Sequence, residues 1–326
     1  MTFILVDLAN TFFRSRHVVR GDADIKIGMA FHITLNSIKK AWQDFDGKHV
    51  VFCLEGRSWR KDVYVPYKRN RAETRAALTE DQQQEEKLFW EAFDTFKEFI
   101  TDKTNCTVLQ HPNLEADDLI AGWIQSHPND DHVIISTDSD FVQLISHNVK
   151  QYNGVSETTI TIDGYFDNKG KPVKDKKTNA VKTAPDPKWL LFEKCMRGDT
   201  SDNVFPAYPK VRKTKLLEAF NDKDTQGFSW NNLMLQRWVD HEKKEHRVLD
   251  DYERNKLLID LTAQPTEVKE YIFNTIADTI ALNKNINQVG IRLMKFCGLF
   301  DLKKIAEQVQ YYSEPLSAKY KTNGDT

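Results

Sequence analysis

Nine carboxylates in this chain stand where they could act together on a metal ion. Asp7 ends the apolar run "FILVD", Glu55 ends "VVFCLE", and Asp138 and Asp140 follow Val133-Ile134-Ile135 in "ISTDSDF". "LEADDLIAGWI" carries Glu115, Asp117 and Asp118 at a helix start, and "MRGDTSDN" carries Asp199 and Asp202. Two like charges 4 Å apart repel by roughly 4 kcal/mol at an effective dielectric near 20, so a cluster of this kind calls for protonation or a cation. With oxygen ligands only, and no clustered His or Cys, the fitting cations are hard divalent ions, Mg2+ or Mn2+. Two such ions about 4 Å apart suit phosphodiester hydrolysis, where they activate a water and stabilise the leaving oxygen. Each acid alone has an ordinary explanation, as a turn residue or as a partner of a helix dipole. Their recurrence at strand ends does not.

The elements that must position these acids are legible as apolar runs at about 3–6, 50–54, 106–109 and 132–136. Continuous runs of that length predict buried, parallel strands. Helical patterns lie between them at 28–43, 80–100 and 115–127; in the second, Phe89, Phe93, Phe96 and Ile100 form one apolar face. Strand and helix in alternation predict an open α/β sheet, in which ligands bind at the carboxyl ends of the strands. After Gly154, "TTITID" predicts a hairpin strand, and "NKGKPVKDKKTNAVKTAPDP" a lysine-rich exposed loop. Beyond Pro187 the pattern predicts helices at about 188–197, 211–220, 230–240, 248–260, 267–277, 286–297 and 301–312. The expected division is a sheet domain over 1–187, a helical domain over 188–312 and a loose tail over 313–326.

Charged residues make up 29% of the chain and hydrophobic ones 40%, which fits a globular rather than a disordered protein. No apolar stretch approaches the ~18 residues of a membrane span, and the N-terminal run is too short for a signal peptide, so an intracellular protein is expected. The four cysteines, Cys53, Cys106, Cys195 and Cys297, lie far apart and are expected to be free thiols. A net charge of −2 hides strong segregation. "RSWRKDVYVPYKRNRAETR" (57–75) holds seven basic residues, Arg57, Arg60, Lys61, Lys68, Arg69, Arg71 and Arg75; "KVRKTK" adds Lys210, Arg212, Lys213 and Lys215. Local basic stripes of this kind can bind polyanions.

"LEADDLIA", "ISTDSDF" and "MRGDTSDN", in that order after "VDLANTFFR", resemble the acidic motifs of the 5′ nuclease (flap endonuclease) family, and "YKRNR" resembles its basic motif. "DDYERNKLLIDLTAQP" is most similar to the T-even bacteriophage RNase H branch of that family, 5′→3′ exonucleases that remove RNA primers. The resemblance implies a PIN-like sheet, with a C-terminal all-helical domain containing a degenerate helix–three-turn–helix. It implies one metal site built from Asp7, Glu55, Glu115 and Asp117 with Asp118 close by, and a second served by Asp138, Asp140, Asp199 and Asp202. It implies two Mg2+ ions, replaceable by Mn2+. Lys68 and Arg71 would contact the scissile phosphate, Phe13 and Arg14 would lie near the terminal nucleotide, and a helical arch would span about 68–100. Implied partners are DNA and RNA–DNA duplexes with 5′ ends or flaps, a single-strand-binding protein and a sliding clamp, for a monomer in the cytoplasm, the host's if phage-encoded. Most relatives carry Asp where this chain has Glu55. The stretch "FPAYPKVRKTK" has no glycine where many relatives bind K+, so no K+ site is expected and its cations would hold the duplex electrostatically.

Two other functions compete. An aspartyl-nucleophile phosphatase also places acids at strand ends, but usually needs D-x-D after the first strand, and "VDLAN" has Asp7 alone. A catalytically silent branched-DNA binding module would tolerate loss of acids, yet the motif acids are all present as carboxylates.

Overall fold

The computed structural model describes residues 1–14, 16 and 19–321. The chain divides into two compact units, Met1–Arg57 with Thr79–Pro185 and Thr266–Thr326, and Ser58–Leu78 with Asp186–Pro265.

The first unit is built on a seven-stranded sheet: β1 (Thr2–Asp7), β2 (His49–Cys53), β3 (Thr107–Leu109), β4 (Asp131–Ile135), β5 (Val149–Asn153), β6 (Thr158–Thr161) and β7 (Gly164–Phe166), in the order β3-β2-β1-β4-β5-β6-β7. Strands β3, β2, β1, β4 and β5 are parallel, and β6 and β7 add an antiparallel edge. Chain order reverses between β1 and β4, which makes their carboxyl ends the switch point where an open α/β sheet takes its ligand. The predicted runs form strands because both faces are covered. Ile4, Val6, Val50, Phe52, Val133 and Ile135 join a core with Phe31 of the Ala23–Asp44 helix, Phe96 and Phe99 of the Glu80–Lys103 helix and Phe296 of the Val289–Leu299 helix. Alternate residues point the other way, and Phe3 packs edge-on against Trp123 at 5.2 Å. There the Ala116–Ser126 helix meets the Thr266–Ala281 helix so closely that a Cβ on Gly122 would lie 2.0 Å from Ile272 Cγ2.

The division expected from sequence differs from this one in three places. Residues 266–312 belong with the sheet, because Phe296 and its neighbours complete the aromatic core around Phe31 and Phe99. The expected tail begins inside the Val309–Ser317 helix, whose Leu316 is buried, and Tyr320 reaches His127 Nε2 through its hydroxyl at 3.0 Å. Residues 322–326 of that tail lie outside the described residues. Residues 58–78 belong with the second unit.

The second unit packs the helices Pro187–Arg197, Lys213–Asp222, Phe228–Met234 and Val248–Ile259 around Tyr67, Phe192, Met196, Leu216, Trp230 and Tyr252. The helix expected over 230–240 ends at Met234, and β8 (Arg237–Val239) pairs with β9 (Glu245–Arg247) as a hairpin. His246 stabilises the hairpin: its ring stacks on Trp238 at 4.4 Å, and its nitrogens contact Asp240 and Asp251 at 3.0 and 2.9 Å. The four cysteines are free and buried. No described helix is long and apolar enough to cross a membrane.

Candidate active site

Asp7 is the last residue of β1 and also the N-cap of the Leu8–Phe13 helix, so its side chain is fixed by the strand-to-helix turn. Its carboxylate accepts from Ser136 Oγ at 2.9 Å and from the Asn10 backbone N–H at 3.3 Å. Asn10 in turn accepts from the backbone N–H and hydroxyl of Thr137 at 3.0 and 2.9 Å, which ties the β1 and β4 ends together. Burial, followed by the nearby charge of Glu55, pushes the Asp7 carboxyl up to about 7, and Asp138 adds to the rise. Hydrogen bonds from Ser136 and Asn10 only partly offset this.

Glu55 follows β2 and is exposed, with the Ala116 backbone N–H donating to Oε2 at 3.2 Å. Its placement depends on Gly56, where a Cβ would come within 2.1 Å of the His111 carbonyl oxygen. That close approach lets the Gly56 and Arg57 N–H groups bond to the Leu114 and Pro112 carbonyls at 2.8 and 2.7 Å. Strand β2 is thereby fastened to the loop that precedes Glu115. Carboxylate oxygens of Glu115, Asp117 and Asp118 lie within 4.8 Å of one another, with Glu115 and Asp118 buried. Asp138 and Asp140 sit on the turn after β4, held by the Gln151 amide donating to the Ser136 and Asp138 carbonyls at 3.1 and 2.6 Å. Asp138 Oδ1 accepts from the Asp140 N–H at 2.9 Å.

In the second unit, Asp199 and Asp202 share a turn, and their charges are met by cations. Lys194 Nζ lies 2.7 Å from Asp199. Burial raises the Asp199 carboxyl, but Lys194 and Ser201 outweigh it and hold the group below the usual carboxylate range. Asp202 is contacted by Arg71 at 2.6 Å, Lys68 at 3.6 Å and the Tyr67 hydroxyl at 3.0 Å. Lys68 adopts a left-handed backbone, φ 54°, at the start of the Arg69–Ala76 helix, which buries none of its residues.

One residue expected to bind nucleic acid does not face solvent. Arg60 is only 1% exposed, donates to the Leu258 carbonyl at 2.8 Å and stacks over Trp59, so it serves the interior of its unit. Phe13 is half-buried against Phe12, Trp90 and Phe93. Arg14, Arg57, Lys61, Arg69, Lys210, Arg212, Lys213 and Lys215 are exposed. Asn10, Ser136, Gln151 and Gly56 carry no mark in the sequence that singles them out. Asn10 and Ser136 lie inside the quoted motifs, but only the fold shows that they hold Asp7.

The profile of the family described as "5′-3′ exonuclease, N-terminal resolvase-like domain" matches residues 2–173, a little over half of the chain. The chain belongs to this 5′-3′ exonuclease family. Among its relatives, DNA polymerase I of Rhizobium leguminosarum is 27% identical over 226 residues, covering 67% of this chain and 19% of that protein. Flap endonuclease Xni of Aeromonas salmonicida is 30% identical over 154 residues, covering 44% of this chain and 53% of that protein. This exonuclease-family chain thus spans about a fifth of the polymerase and about half of the flap endonuclease. Its fold is that of the bacteriophage T5 flap endonuclease solved with DNA and metal ions, with TM-score 0.56 at 18% identity, over 96% of this chain and 100% of that one. A structure of the T5 5′-exonuclease with bound zinc gives TM-score 0.57 at 17% identity over the same shares.

Proposed function

We propose that this chain is a divalent-metal-dependent 5′→3′ exonuclease and flap endonuclease acting on DNA and RNA–DNA duplex ends, as in RNA primer removal during phage DNA replication. The observation that carries this is Asp7: its buried carboxyl, with Glu55 and Asp138 beside it, is pushed up to about 7 by burial and by their charge, and no cation among the described residues pairs with it. Carboxylates so crowded suit hard divalent cations, and the donor set of Asp7, Glu55, Glu115, Asp117 and Asp118 is all oxygen. When bound, such ions would supply charge neutralisation and an activated water. The chain's own groups do the rest. Ser136 and Asn10 fix the direction of the Asp7 oxygens, and Gly56 lets Glu55 approach the Ala116 N–H. Asp138 and Asp140 are set by the Gln151 amide to serve a second ion. Lys68 and Arg71, positioned here by Asp202, are cations that could offset charge on a phosphate in the transition state.

The test is incubation with a 5′-labelled flap and a 5′-labelled RNA–DNA duplex, with and without Mg2+. Short labelled products that appear only with the ion are expected. Binding without cleavage would favour the silent binding module, and release of phosphate alone would favour a phosphatase.

A further inference from the structure

The lysine-rich segment expected to be a loop continues the sheet as an ordered arm. After β7, residues Asp167–Lys171 form a tight turn: Asp167 N–H donates to the Lys171 carbonyl at 2.9 Å, and Asp167 Oδ1 accepts from the N–H groups of Lys169 and Lys171 at 2.9 Å each. Gly170 sits in that turn at φ +70°, a conformation that favours glycine. The chain then returns along β7, with Pro172 opposite Phe166, and Lys174 opposite Val181 after a second turn closed by Asp175 N–H on the Ala180 carbonyl at 2.8 Å.

Strand register fixes which end of the sheet each turn occupies. Ile135 of β4 pairs with Tyr152, Tyr152 with Thr159, and Thr159 with Phe166. Phe166 therefore stands level with the residue that precedes Ser136, and the Asp167–Lys171 turn projects beyond the carboxyl edge that carries Asp7 and Asp138. Three to four strand spacings of about 4.8 Å put it roughly 15–19 Å along that edge from β4 and β1. The second turn, with Lys176 and Lys177 beside Asp175, lies toward the opposite end. Lys169, Lys171, Lys176 and Lys177 are exposed, and none makes an ion pair among the described residues.

We propose that the Asp167–Lys171 turn is an additional phosphate-contacting element, in which Lys169 and Lys171 take the backbone of duplex nucleic acid roughly five base pairs from the acid cluster, at the ~3.4 Å rise of a duplex. This rests on the nuclease function proposed above. The second turn has the same composition, one aspartate and two lysines, but the wrong end of the sheet, and so is a built-in control. Lysines that only guard the sheet edge against pairing would show no difference between the two turns.

The experiment measures binding of a fluorescent 16-base-pair duplex by anisotropy in EDTA, from 50 to 200 mM salt. The full chain is compared with Lys169→Ala/Lys171→Ala and Lys176→Ala/Lys177→Ala, each checked for an unchanged melting temperature. Loss of two phosphate contacts should lower the slope of log affinity against log salt by about 1.8 and weaken binding roughly tenfold at 50 mM. The second pair should leave both unchanged. Equal losses for both pairs, or none for either, would overturn the proposal while wild-type cleavage kept the nuclease function intact. A wild-type chain that neither binds duplex nor cleaves it would overturn both.

Discussion

Burying the Asp7 carboxyl costs the metal-free fold stability at neutral pH. Its ordinary value of 3.8 is raised to about 7, first by burial and then by Glu55. A carboxyl whose folded pKa lies above its unfolded one favours the native state when protonated, and that contribution is lost as pH rises from about 4 to 7. We therefore expect Asp7→Asn to raise the melting temperature of metal-free protein at pH 8 by roughly 2–6 °C and to change it little at pH 4. The same variant should be stabilised less by Mg2+ than wild type is, and wild type should gain more from Mg2+ at pH 8 than at pH 6, since a ligand must be deprotonated. Equal Mg2+ shifts in both proteins would place the ion elsewhere. If Asp138 serves an ion as proposed, Asp138→Asn should lower the single-turnover cleavage rate by at least ~100-fold while duplex binding stays equal or tightens, because it removes a ligand charge and repulsion of phosphates. Cleavage at the wild-type rate would make Asp138 a turn residue only. The position of Asp7, Glu55 and Asp138 at strand ends is legible from the apolar runs that precede them. Asn10, Ser136 and Gln151 were not, because a hydrogen bond between β1 and β4 leaves no trace in local spacing.

At the scale of elements, the site depends on how closely β2 meets the 111–114 loop. Gly56→Ala would drive a methyl into the His111 carbonyl, a backbone group that cannot swing aside. We expect a loss of 1–3 kcal/mol in stability, as for overpacked sites, with a weakened Mg2+ response because Glu55 is displaced. Denaturant melts with and without Mg2+ would show this, and an unchanged Mg2+ response would separate Gly56 from the site. On the sheet's other end, burial pushes His49 and His132 down to about 4. A histidine buried neutral contributes stability that is complete above its unfolded value near 6.5 and is lost as pH falls below it. The urea midpoint of Asp7→Asn, free of the opposing carboxyl, should be level from pH 8 to 6.5 and fall steadily toward pH 4.5. A midpoint flat to pH 4.5 would show that neither histidine resists protonation. The apolar strands and the long aromatic helix face were readable by periodicity. Strand β5, "VKQYN", was not, because its polar residues are accommodated by Gln151 bonding the β4 turn and Tyr152 joining the core. The β8–β9 hairpin was hidden because its stability comes from His246 and Trp238 rather than from alternation.

For the whole molecule, sequence showed two kinds of structure but drew their boundary too simply. Helical periodicity marks an apolar face without saying what covers it, so 266–312 could be counted with the helices before it. Phe296, Leu293 and Leu316 instead belong to the core under β1, β2 and β4. A fragment ending at residue 187 would expose that face, and we expect it to be aggregated or loosely packed by near-ultraviolet circular dichroism and proteolysis. A cooperative, protease-resistant 1–187 fragment would contradict this division. Under the proposed function, carboxylates gathered at the strand ends of one sheet hold the ions that cleave a phosphodiester. Glu55 provides the sharpest test, because it follows the β2 end and its carboxylate accepts from the Ala116 N–H. The measurement is a Mg2+ titration of single-turnover cleavage of a 5′-labelled flap by wild type, Glu55→Asp and Glu55→Gln. Shortening the side chain moves its oxygens by about 1 Å, so Glu55→Asp should be slower than wild type. Glu55→Gln, which keeps the length and removes the charge, should be slower still and need far more Mg2+. Wild-type rates for Glu55→Gln at limiting Mg2+ would put Glu55 outside any metal site and contradict a catalytic metal centre at these strand ends.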